Sequence, residues 1–179
     1  LNVTGDLSKY VQLYNNTIAY NTVGVTVLSP SGAPNLAYIA NNIFYENHDQ
    51  TAARNGVAIF SQFPNKVFVT NNLFYANGPS ASSTADDTND LGRGFNPGAL
   101  VTTGTDSLGN FAGNPWFVTP RDPRPGSDGP AVFYNEANFD LTSASAAIDR
   151  GSPYLAPATD LLYRSRVRAR GIDPAFATA

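Results

Sequence analysis

The chain has 179 residues, 42% of them apolar and 12% aromatic, which suits one globular domain with a sizeable core. Fourteen acidic against eleven basic residues give a formal charge of -3, which argues against nucleic acid as a partner, because its phosphates need a positive surface. With no cysteine and one histidine, disulfides, thiolate chemistry and multi-histidine metal clusters are excluded, and no apolar run approaches the roughly 18 residues of a membrane span.

A repeat orders the first two thirds of the chain. The segments 11–21, 37–47 and 67–77 align without a gap, at offsets of 26 and 30 residues, and each holds an Asn-Asn pair and ends in a further asparagine. Between them, Gly24-Val-Thr-Val-Leu-Ser29 matches Gly56-Val-Ala-Ile-Phe-Ser61. Each unit therefore reads as three short strands: Gly-Val-x-Val/Ile, then a turn at 30–35 or 62–65, then Ala/Val-x-Ile/Val, then the asparagine pair and a last strand. Apolar residues alternate at Val25/Val27, Ala37/Ile39, Val57/Ile59 and Val67/Val69, the period of a strand with one buried face. Nowhere does a helical stripe persist.

The pairs Asn15-Asn16, Asn41-Asn42 and Asn71-Asn72 mark corners, since asparagine tolerates positive φ better than any residue but glycine. Stacked at the strand spacing of about 4.8 Å, they form columns whose amides can hydrogen-bond along the stack. The sequence leaves open which member of each pair points inward. With Leu13/Ile39/Val69 and Ile18/Phe44/Phe74 as core columns, Gln12/Tyr38/Phe68 and Ala19/Tyr45/Tyr75 face out. A last, degenerate layer can be drawn through 98–102 and 108–111, with Asn110 near the corner.

These features resemble the right-handed parallel β-helix of the pectate-lyase-like superfamily over about residues 7–115. The resemblance implies an all-β fold of three to four coils, with ligands and catalytic groups on the outer face near the long third loop. Farther on, Asn114-Pro-Trp-Phe-Val118, Asn138-Phe-Asp-Leu141, Ser145-Ala-Ala-Ile-Asp-Arg-Gly-Ser-Pro153, Asp160 with Arg166, and Gly171-Ile-Asp-Pro-Ala-Phe176 are similar to the tail of secreted bacterial β-helix proteins. The expected organisation is coils over 1–115 and, over 116–179, an irregular cap that covers the open end of the stack, with Asp160 and Arg166 pinning it. At the other end strands begin within a dozen residues and nothing covers Leu13 and Ile18. That implies upstream coils, a second chain, or two copies meeting end to end. Without an initiator methionine or a signal peptide, the chain reads as a processed product or a fragment.

Candidate sites lie on the outside. In the loop from about Gly78 to Pro97, Asp86, Asp87 and Asp90 offer hard oxygen ligands for Ca²⁺, against the plainer reading of a solvated acidic loop. Adjacent Asp86 and Asp87 do not establish the spaced carboxylate pair that glycoside hydrolysis needs. Lys9 and Lys66 are the only lysines and neither is near this loop, so a lyase would need Arg54 or Arg93 as its base. Tyr38, Phe68, Tyr45 and Tyr75 could form an aromatic platform for sugar rings, against a packing role under loops. His48 is expected on the surface. Arg164, Arg166, Arg168 and Arg170 alternate, and pair with Asp149, Asp160 and Asp173 or attract acidic polysaccharide.

The expected function is that of a C-terminal β-helix segment of an exported bacterial protein, secreted or at the cell surface, serving as a non-catalytic scaffold or carbohydrate-contacting module. The alternatives are a polysaccharide lyase or glycoside hydrolase acting on an acidic glycan, and a structural partner that completes another chain's stack.

Overall fold

The computed structural model describes residues 2–3, 11–27, 37–49, 56–61, 67–78, 109–123 and 137–152. These form strands and turns, with no helix among them, and so no helix long and apolar enough to cross a membrane. The strands are β1 (Asn2–Val3), β2 (Val11–Tyr14), β3 (Thr17–Ala19), β4 (Val23–Val27), β5 (Ala37–Ala40), β6 (Ile43–Tyr45), β7 (Val57–Ser61), β8 (Val67–Thr70), β9 (Leu73–Tyr75), β10 (Phe111–Ala112), β11 (Phe117–Thr119) and β12 (Asn138–Leu141).

The chain visits three parallel sheets in rotation. Their strand orders are β1-β4-β7, β2-β5-β8 and β3-β6-β9-β10, so each circuit adds one strand to every sheet. Register follows the repeat without slippage: Leu13 pairs with Ile39 and Ile39 with Val69, while Ile18, Phe44 and Phe74 stand in one column that ends on Ala112. Because alternate side chains point to opposite faces, this register sends the whole apolar set to one side. Val25, Val27, Ala37, Ile39, Phe44, Ala58, Ile59, Val69 and Phe74 form the core, and the Phe44 and Phe74 rings stack at 5.1 Å and 6°.

The corners resolve the question the sequence leaves open. The first asparagine of each pair takes the left-handed backbone, with φ of 59° at Asn15, 57° at Asn41 and 53° at Asn71. The second turns into the stack. Asn42 accepts from the backbone N–H (3.0 Å) and the amide (3.2 Å) of Asn16, and Asn72 and Asn110 repeat the arrangement one layer on. In the last layer Gly109 replaces the first asparagine at φ 79°, and a Cβ there would come within 2.5 Å of the Asn71 amide. Only glycine fits at that approach.

The expected cover over the end of the stack is not where the described tail lies. β11 and β12 form an antiparallel hairpin whose Phe117 and Phe139 pack on Tyr20 and Tyr45, along the flank of the third sheet. Farther on, the Asn41 amide donates to the Ser152 carbonyl at 2.9 Å and accepts from its N–H at 2.7 Å, and the Arg150 guanidinium lies 5.8 Å from the Phe111 ring centre. The physical reason is area: a flank carrying three tyrosines and Ile43 offers the hairpin more apolar surface to bury than a bare end.

Candidate functional site

Two outward aromatic columns stand on neighbouring sheets, and the structure treats them differently. On β2-β5-β8 the column is Gln12/Tyr38/Phe68. Parallel register puts Tyr38 directly beside Phe68, and the rings stack face to face at 5.0 Å and 12°. Phe68 is 47% exposed, Gln12 is exposed and Tyr38 is half-buried. The result is a flat apolar strip edged by a phenol and an amide, the surface that a sugar ring's C–H face meets.

On β3-β6-β9 the column Ala19/Tyr45/Tyr75 also points away from the core, with Tyr45 and Tyr75 stacked at 5.7 Å and 8°. Here the platform expectation meets a correction at Tyr45, which is buried under the hairpin. Its ring meets Phe117 edge-on at 5.2 Å and Tyr20 at 5.5 Å. Tyr75 is half-buried, and its hydroxyl accepts from the Asn114 amide at 3.3 Å. Burial raises the phenols of Tyr20 and Tyr45 well above the ordinary range; Tyr45 adds to it at Tyr20, and the Glu46 carboxylate adds to it at both. Tyr75 moves the same way for the same two causes, burial first and then Glu46. These groups stay protonated at neutral pH and cannot serve as bases there.

His48, expected at the surface, is buried. Its Nε2 lies 3.8 Å from the Glu46 carboxylate, and Nδ1 contacts the Asp49 carbonyl. The cause is the entry of β7: a Cβ on Gly56 would lie 2.6 Å from the His48 Cα, so the glycine lets the strand run against the histidine backbone and cover it. Asp86, Asp87 and Asp90, Asp160 and Arg166, and the four alternating arginines lie outside the described residues. Among the described residues no group of three or more His, Asp or Glu side chains could hold a metal ion.

A second asparagine ladder went unread in the sequence. Asn47 accepts from the N–H and amide of Asn21, both at 3.2 Å, and Asn77 in turn accepts from the N–H and amide of Asn47, at 3.0 and 2.8 Å. The signal was present, because all three repeats end in asparagine. What hid it is the preceding residue: Tyr20, Glu46 and Ala76 adopt φ of 61°, 49° and 53°, a conformation their side chains do not announce. Also unforeseen is an exposed apolar surface on the hairpin, formed by Trp116, Val118 and Leu141.

Comparison with protein-family models, curated proteins and solved structures finds no match for this chain.

Proposed function

We propose that the chain is a segment of a right-handed parallel β-helix, from an exported bacterial protein, that serves as a non-catalytic scaffold and contacts carbohydrate through Tyr38 and Phe68. The rotation through three parallel sheets and the two asparagine ladders support the helix. Right-handedness is the physical expectation for parallel strands joined by crossovers, in which about 98% take that hand. Affinity with the pectate-lyase-like superfamily rests on the Asn-Asn corners and the tail motifs. Absence of cysteine and abundance of asparagine (nineteen residues) support export.

One observation carries the carbohydrate contact: Tyr38 and Phe68 keep a stacked, open face while the matching column one sheet away is covered. A core needs no exposed phenylalanine, and a non-polar ring pair left in water is a contact surface by default. The test is retardation in affinity gels cast with pectate, alginate and neutral glycans, with and without Ca²⁺. Retardation by one glycan class that Phe68→Ala abolishes, with an unchanged circular dichroism spectrum, is expected. Equal migration of the variant and the parent overturns the contact, and release of unsaturated or reducing ends overturns the non-catalytic assignment.

A further inference from the structure

The two ladders have a direction. In every rung the side-chain oxygen accepts from the N–H and amide of the asparagine one layer nearer the N-terminus, and the amide also donates to a backbone carbonyl of that layer, as Asn42 does to Leu13 and Asn47 to Ile18. The layer of β2 and β3 is the first rung of both. There Asn16 and Asn21 donate to Asn42 and Asn47, but among the described residues nothing donates to the side-chain oxygen of either, and both residues are exposed. β2 and β3 each have a strand neighbour on one side only. Beneath them the core is open in the same way: Val11, Leu13 and Ile18 are half-buried, whereas their register partners Ala37, Ile39 and Phe44 are 1%, 2% and 0% exposed. Acceptors, strand edges and apolar ends coincide in one layer.

We propose that this end of the stack docks a further strand circuit from a separate polypeptide segment that runs parallel to β2 and β3 and carries asparagine at both corners. Such a segment supplies two N–H donors to each open oxygen, strand edges in the same sense, and apolar side chains over Leu13 and Ile18. A second copy laid end against end is the wrong occupant, because the two-fold would set Asn16 and Asn21 oxygens against each other, acceptor facing acceptor. The proposal rests on the circuit architecture and not on the carbohydrate contact.

The probe is a labelled peptide of residues 37–48, which holds both corner asparagines, titrated into the full chain and followed by fluorescence anisotropy. Saturable binding is expected, weakened about tenfold when the peptide carries Asn42→Ala and Asn47→Ala, and about as much by Asn16→Ala with Asn21→Ala in the chain. Equal binding of parent and substituted peptides overturns the proposal. So does no binding while the backbone amides of Asn42 and Asn72 resist hydrogen exchange, a control that separates failure of docking from failure of the circuit fold. A dimer seen by sedimentation without peptide, and dissolved by it, assigns the end to a second copy and overturns it equally.

Discussion

Tyr38 with Phe68 and Tyr45 with Tyr75 are the same motif twice: aromatic residues one layer apart, stacked nearly parallel on the outer face of a parallel sheet. One pair lies open and the other is roofed by Phe117 and Phe139, more than forty residues away in the chain. Strand periodicity decides which way a side chain points, and here it decides correctly for both pairs. It says nothing about what arrives on top. A side chain outside the sheet is a surface group only if no later segment finds it the better place to bury its own apolar residues.

That contrast sets the largest expected effect. Tyr45→Ala removes a ring wedged between Tyr20, Tyr75 and Phe117, so a loss of about 3–5 kcal/mol is expected, as for a core aromatic. Phe68→Ala, at 47% exposure, should cost about 1 kcal/mol. Chemical denaturation of both variants measures the gap; equal losses would mean that the hairpin does not roof the third sheet.

Next in size is the alkaline response. Tyr20, Tyr45 and Tyr75 are held protonated by burial and by Glu46, so their folded values lie above the ordinary 10.0. Below that pH the folded and unfolded chains bind the same phenolic protons, and the stabilisation is fully present. As pH rises past it, unfolded tyrosines ionise while folded ones do not, the unfolded state binds fewer protons, and stability falls. Stability should therefore decline above about pH 10, and Tyr45→Phe should make that decline shallower, whatever it does at neutral pH. An unchanged slope in pH-dependent unfolding would show that Tyr45 is not shielded.

How much of this was legible depends on range. The gapless repeat fixes the strands, their register and the core columns, because a one-residue slip would expose Ile39 and Phe44 together. Positive φ at Asn15, Asn41 and Asn71 was legible because asparagine is one of few residues to tolerate it; the same turn at Tyr20, Glu46 and Ala76 was not, since nothing local favours it. There the strain, roughly 1–3 kcal/mol per residue, is offset by the ladder that Asn47 and Asn77 complete. Burial of His48 is set by a strand that returns at Gly56, and burial of Tyr45 by a hairpin still farther on. Both are tertiary events, and periodicity within a repeat carries no record of them.

The smallest expected effect bears on the open pair itself. If Tyr38 and Phe68 stack only because the sheet brings their Cα atoms into register, the rings contribute little to stability and are free to exchange their contact for a ligand's. A double-mutant cycle with Tyr38→Ala and Phe68→Ala should then give a coupling of about 0.5–1 kcal/mol, near the low end for aromatic pairs. The matching cycle on Tyr45 and Tyr75 should exceed it, since truncating either ring also disturbs the packing of Phe117 or the Asn114 bond. A larger coupling in the open pair than in the roofed one would make Tyr38 and Phe68 a structural clasp and remove the reason to assign them a ligand.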